Sequence, residues 1–135
     1  MTIINRKFKA FTMTELLVVL VIIGILVLLA FPVLEPLIFK AKSTEAKLQL
    51  KHLYTLQKTH HNMYAKFSTD LEDLGFEQEK LVTENGDARY QIEVVSADNR
   101  TFVARATAVE DFNGNGVFNI WEIDQDKDMR EVQKD

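Results

Sequence analysis

Cysteine is absent from the 135-residue chain. Without thiols the protein cannot form a disulfide, coordinate a metal through thiolates or use a cysteine nucleophile. Basic residues are in deficit, because 16 lysines and arginines face 20 aspartates and glutamates. A surface with this balance repels nucleic acid unless it carries a local basic patch, so direct nucleic-acid binding is not expected. The sequence also has no nucleophile-base pair and no glycine-rich phosphate loop, so we do not expect an enzyme.

Charged residues are missing from the 19-residue segment between Leu16 and Leu34. A segment of this length and apolarity can cross a membrane as a helix. The preceding residues 1–10, MTIINRKFKA, are basic, which favours a cytoplasmic N-terminus. A secretory signal peptide has its small-residue cleavage site after the apolar run, whereas here the small residue Ala10 comes before it. Hydropathy alone therefore predicts a single-span membrane anchor.

The residues at the start of the apolar run suggest a more specific interpretation. The stretch AFTMTELLVV, residues 10–19, resembles the prepilin motif of type IV pilins and type II secretion pseudopilins. The resemblance implies that a prepilin peptidase cuts between Ala10 and Phe11 and that the new amine of Phe11 is methylated. Ala10 departs from the glycine that is commoner before the cut. Loss of residues 1–10 would leave 13 basic and 20 acidic residues, a formal charge of −7.

Glu15 has two interpretations. Thr12 to Glu15 fits a capping box, in which the acidic side chain and the helix dipole stabilise the first turn of the same helix. The resemblance implies instead that Glu15 meets the Phe11 amine of a neighbouring subunit in a low dielectric and sets the axial stagger of assembly. Gly24 and Pro32 fall where many family members place a helix-loosening glycine and proline, and the resemblance makes them assembly residues too.

The rest of the chain predicts an α+β fold: one long N-terminal helix packed on a small antiparallel sheet of three to four strands, as in pilins. Apolar residues at three- and four-residue steps, such as Leu50 and Leu53, extend the helix from Phe11 to about Phe67. A bend or loosened turn is expected between Gly24 and Pro36. Alternating patterns predict strands that begin near residues 90 and 102, a third over 117–124 and a short fourth over 130–132.

The predicted domain organisation has three parts. Residues 1–10 form a leader peptide, residues 11–40 form a protruding apolar helix for the membrane and the filament core, and residues 41–135 form the globular domain.

A loop in the globular domain satisfies the calcium-loop spacing D-x-[DN]-x-[DN]-G-x5-E. Its candidate ligands are Asp111, Asn113, Asn115, Asn119 and Glu122. Calcium takes six to eight hard oxygen ligands, and glycine at the sixth position permits the sharp turn. The flanking segments predict strands rather than the helices of an EF-hand. The alternative is a plain strand connection in which Asn-Gly pairs supply positive φ angles. Calcium is the one cofactor left open, and no other is predicted.

The predicted function is that of a structural subunit of a type IV pilus or pilus-like filament, serving motility, adhesion or DNA uptake. Its implied partners are further copies in a helical filament, the prepilin peptidase and an inner-membrane assembly platform. The chain would cross the inner membrane once with a cytoplasmic N-terminus and then enter an extracellular or periplasmic filament. Two alternatives stay open: a pseudopilin of a type II secretion or competence machine, and a single-pass anchor that displays a binding domain and stays uncut.

Overall fold

The computed structural model describes residues 9–135, apart from the side chain of Val33. Most of the predicted leader, including Arg6 and Lys7, therefore lies outside the described residues. The chain forms two units, one that ends at Leu37 and one that comprises Ile38–Asp135.

A single long helix, α1, spans Met13–Tyr64. The helical conformation of the chain continues through Pro32 and Pro36. A bend in this region stays a prediction. The helix ends earlier than the predicted Phe67, because Ala65 adopts a left-handed conformation with a φ of 55°. The Ala65 N–H still donates to the carbonyl of His61 at 2.8 Å, which closes the last turn.

Four strands follow the helix and form one antiparallel sheet, in which strands that are consecutive in the chain are neighbours. Strand β1 spans Tyr90–Ala97, β2 Phe102–Ala108, β3 Ile120–Asp124 and β4 Met129–Gln133. The predicted α+β architecture with a small antiparallel sheet is confirmed. The third strand begins at Ile120 rather than at the predicted position 117.

The late start of β3 has a local cause. The Val117 N–H donates to the side-chain oxygen of Asn115 at 2.6 Å, so Val117 still belongs to the preceding loop. Asn119 is fully buried and directs its side chain to the interior. Val117 and Asn119, two of the alternating residues that predicted a longer strand, therefore lie outside β3. Val117 belongs to the loop, and Asn119 belongs to an internal hydrogen-bond network.

The core of the Ile38–Asp135 unit lies between one face of α1 and one face of the sheet. In α1 the buried stripe includes Ala46, Leu50 and Leu53, which recur at helical spacing. Strand β2 turns alternate residues inward, in the pattern expected of a strand with one buried face. Those inward residues are Phe102, Ala104, Ala106 and Ala108.

We expect Leu50→Ala to destabilise this unit by about 2–5 kcal/mol, because truncating a fully buried leucine leaves a cavity. The matched control is Leu48→Ala, at a side chain 61% exposed in the same helix, which should change stability by no more than about 0.5 kcal/mol. Denaturant unfolding of the full chain in detergent, followed by the fluorescence of its single tryptophan, Trp121, measures both. Equal midpoints for the two variants would contradict this packing.

Candidate functional site

The start of α1 is stabilised by hydrogen bonds between Thr12 and Glu15. The backbone N–H of Thr12 donates to Glu15 Oε2 at 2.9 Å, and the backbone N–H of Glu15 donates to Thr12 Oγ1 at 3.2 Å. These are the two reciprocal bonds of a capping box. The predicted local partner of Glu15 is thus present. The Thr12 hydroxyl also donates to Glu15 Oε2, at 3.3 Å, whereas Oε1 takes part in no hydrogen bond among the residues described.

The predicted cleavage bond lies just before this cap. Lys9 to Thr12 have no regular secondary structure, and α1 begins only at Met13. Both Ala10 and Phe11 are exposed, with Phe11 at 84% of its full accessibility. The Ala10–Phe11 bond is therefore an accessible peptide bond in an irregular segment next to a helix terminus.

The first half of α1 is apolar on every side. The described large apolar side chains between Leu16 and Leu34 are all exposed in the single chain, from 45% at Val19 to 74% at Leu28. Met13–Pro32 is long and apolar enough to cross a membrane, with a mean hydropathy of 3.0. A helix that is hydrophobic all round belongs in a membrane or in the interior of a larger assembly.

Gly24 and Pro32 both lie within this apolar half. A side chain at Gly24 would meet nothing within 4 Å among the described residues, so none of their contacts requires glycine there. Pro32 has no N–H and cannot donate to the carbonyl of Leu28, and Pro36 leaves the carbonyl of Pro32 without a donor in the same way. The helix is thus short of two backbone hydrogen bonds between Leu28 and Pro36.

The loop with the calcium-binding spacing is folded around the carboxylate of Asp111. Asp111 Oδ2 accepts the N–H of Gly116 at 2.6 Å, and Oδ1 accepts the N–H of Gly114 at 2.6 Å. Both glycines have positive φ, which lets the backbone turn its N–H groups inward. The N–H of Gly116, followed by those of Gly114, Asn113 and Asn115, holds the pKa of Asp111 below its usual value. A neighbouring positive charge is not required to keep this carboxylate ionised.

Two of the other candidate ligands, Glu122 and Asn119, already bond to residues outside the loop. Glu122 lies in β3 opposite Arg105 of β2, whose Nη2 is 2.7 Å from Glu122 Oε1, and Arg130 approaches Oε2 at 3.7 Å. Asn119 accepts a hydrogen bond from the Tyr90 hydroxyl at 2.7 Å. Within residues 9–135, no three histidine, aspartate or glutamate side chains are grouped so as to hold a metal ion. The structure therefore does not bring the five predicted calcium ligands together with free oxygens.

The network around Asn119 is one that the sequence alone did not reveal. The Asn119 amide donates to Glu131 Oε1 at 2.7 Å and to the carbonyl of Gln133 at 3.0 Å. Burial raises the pKa of Tyr90 well above its usual value, and the negative charges of Glu45, Glu131 and Asp135 add to the effect. A neutral Tyr90 hydroxyl thus joins β1 to β4 through Asn119. The only sequence signal is a polar residue inside the apolar run VFNIW.

Comparison with known proteins identifies the N-terminal segment. The family described as the prokaryotic N-terminal methylation motif matches residues 5–31, which include Ala10, Phe11, Glu15 and Gly24. The chain is also 37% identical over 76 residues to the type IV major pilin protein PilA of Myxococcus xanthus (strain DK1622). That similarity covers 56% of this chain, which spans only about a third (34%) of the length of the relative. The motif match and the similarity together confirm the predicted resemblance of this chain to the type IV pilin family.

Proposed function

We propose that the chain is a structural, non-enzymatic subunit of a type IV pilus, processed between Ala10 and Phe11 and assembled through the first half of α1. The observation that carries this proposal is the all-round apolar surface of α1 directly behind an exposed bond within a methylation motif. The similarity to a major pilin favours a pilus over the pseudopilus of a secretion or competence machine. Abundant sheared filaments made of this chain would support that preference.

The proposed assembly transfers α1 from lipid to a bundle of identical helices. Burial of apolar surface from water is worth roughly 25 cal/mol per Å², but the helix leaves lipid, which is just as apolar. Close packing and polar pairing must therefore supply the preference for the filament. Gly24 supports this step, because a position with no side chain and no neighbour within 4 Å among the described residues leaves room for a second helix to approach closely.

Glu15 supplies the polar pairing in this proposal. The capping box uses Oε2 and leaves Oε1 without a hydrogen bond in the described chain. A carboxylate carried to the centre of an apolar region costs roughly 2.5–3.5 kcal/mol unless it is paired. Cleavage would create an amine at Phe11, four residues before Glu15 in each copy. Glu15 can thus cap its own helix and also pair with the amine of a neighbour.

Before assembly, the proposed topology is a single inner-membrane span with a cytoplasmic N-terminus. Residues 1–10 act as the leader, 11–40 as the protruding helix and 41–135 as the globular domain. The prepilin peptidase and an inner-membrane assembly platform are the partners, and the product is an extracellular or periplasmic filament.

Intact-mass measurement of the chain recovered from its host should give a protein that begins at Phe11 and is heavier by one methyl group. The exposed, irregular conformation of the Ala10–Phe11 segment supports this outcome, because a peptidase binds such a segment more readily than a helix. Recovery of the full chain with Met1 still attached, as a lone membrane protein, would instead support the single-pass anchor.

Glu15→Gln should reduce sheared filaments by about tenfold or more while cleavage stays normal, because loss of one charge of a buried pair leaves the other charge unpaired. Glutamine also completes a capping box, so the variant keeps the cap and removes only the charge. Thr12→Ala is the matched control. It removes the Thr12 hydroxyl that accepts the Glu15 N–H, at a cost of about 0.5–2 kcal/mol, and should leave filaments in place. If the Glu15→Gln variant assembles as well as the unaltered chain, the proposed pairing of Glu15 with the neighbouring amine is wrong.

Calcium at the Asp111 loop stays a prediction of the sequence pattern. We expect the melting temperature of the full chain in detergent to be the same in millimolar calcium and in chelator, because calcium would have to displace Arg105 from Glu122. A substantially higher melting temperature in calcium would show that the site binds the ion.

A further inference from the structure

Four lysines form a straight row along one flank of α1. Lys40, Lys47, Lys51 and Lys58 are spaced by seven, four and seven residues. At about 100° per residue these positions fall within roughly 40° of one another around the helix axis, beside the buried stripe that contains Leu50. We call this row the lysine stripe.

Two of the four ammonium groups are held over aromatic rings of the same unit. Lys47 Nζ lies 4.4 Å from the ring centre of Trp121 in β3, and Lys58 Nζ lies 5.4 Å from that of Tyr54. Lys40 and Lys51 are exposed. Cation–π contacts of this kind orient the charges without neutralising them, so the stripe keeps its positive potential.

An acidic surface lies in the connection between α1 and β1. Asp70–Asp87, which we call the acidic connector, contains seven carboxylates and one lysine, Lys80, and all seven acidic residues are exposed. The connector is anchored to the domain at Gln78, whose amide donates to the Tyr90 carbonyl at 3.2 Å and whose oxygen accepts the Ile92 N–H at 2.8 Å. Its charges are therefore presented from a fixed segment of the chain.

Within residues 9–135, neither surface has a salt-bridge partner. In the described part of the chain every salt bridge uses Arg89, Arg105 or Arg130. The lysines of the stripe and the carboxylates of the connector take part in none of them. Both surfaces are thus available to a charged partner.

The two surfaces lie on opposite flanks of the Ile38–Asp135 unit. The stripe borders the β3 side, where Lys47 contacts Trp121. The connector runs along the edge of β1 that does not pair with β2. Its Phe76 packs beside His52, on the flank of α1 away from the lysine stripe, with the ring centres 5.8 Å apart. When two complementary surfaces occupy different sides of one molecule, copies join head to tail, and a contact of this kind builds an open helix if it does not close into a ring.

We propose that the lysine stripe of one copy docks against the acidic connector of the next copy in the filament. The proposal rests on the proposed function and names the contact that orders the globular domains. A mature chain with a formal charge of −7 repels its own copies. Contact between a positive stripe and a negative connector converts that repulsion into attraction in one relative orientation only.

Charge reversal of each surface tests the contact. The stripe variant is Lys40→Glu with Lys51→Glu, and the connector variant is Glu77→Lys with Glu79→Lys. Each should lower the yield of sheared filaments by about tenfold or more, because like charges then face each other. The chain with all four substitutions should recover a yield close to that of the unaltered protein.

The matched control, Arg100→Glu with Lys134→Glu, changes the net charge as the stripe variant does, at exposed positions outside both surfaces. It should leave the filament yield unchanged. Tryptophan fluorescence and intact mass verify that every variant is folded and cut.

Filaments of normal yield from either reversed surface would overturn the contact. The contact would also be overturned if the four-substitution chain is folded and cut but its filament yield stays low. That result would indicate that the stripe binds another anionic partner, such as lipid or nucleic acid. The proposed function fails separately, if the unaltered chain is never cut at Phe11 and forms no filaments.

Discussion

The structure depends on one constraint: the first half of α1 has no charged side chain between Leu16 and Leu34 and no polar face to turn toward water. Water is a poor environment for such a helix, so it needs either lipid or other helices around it. Glu35 is the first charged residue after the run, and the uncharged segment that needs such surroundings ends there. The methylation motif covers the other end of the apolar run, where the proposed cleavage would create a new terminal charge at Phe11, four residues before Glu15.

The second half of the same helix obeys a different rule. Beyond Lys40 the apolar residues narrow to a stripe, and Leu50 and Leu53 are covered completely by the sheet and its loops. Glu45, on another flank of this half, faces the start of β1. Its carboxylate accepts the N–H of Arg89, the residue before β1, at 2.7 Å. One continuous helix therefore combines a half that needs partners with a half that builds a complete core of its own.

Much of this arrangement could be predicted because it depends on local pattern. Spacing of apolar residues predicted α1, alternation predicted strands that begin near Tyr90 and Phe102, and the Thr12–Glu15 cap follows from the residues of one helical turn. What could not be predicted depends on which residues meet across strands. The calcium pattern counts Glu122 as a ligand by spacing, but the register of β2 against β3 places it opposite Arg105.

The same limit applies to Asn119 and to the charged surfaces. Nothing near Asn119 in the sequence indicates that its partners are Tyr90 and Gln133, one on each outer strand of the sheet. The lysines and carboxylates are visible in the sequence, but their placement on opposite flanks follows only from how Gln78 and Trp121 are positioned in the fold.

The two open edges of the sheet have a consequence for any crowded arrangement of this protein. An unguarded edge strand can pair with the backbone of another molecule and lead to amyloid-like aggregation. Here the Gln78 side chain occupies hydrogen-bonding groups of β1 that such pairing would use, and β4 carries Arg130 and Glu131 on an exposed strand. Backbone pairing between molecules is thereby discouraged at both margins, and recognition between neighbours is left to side chains, which can be specific where a bare β-edge cannot.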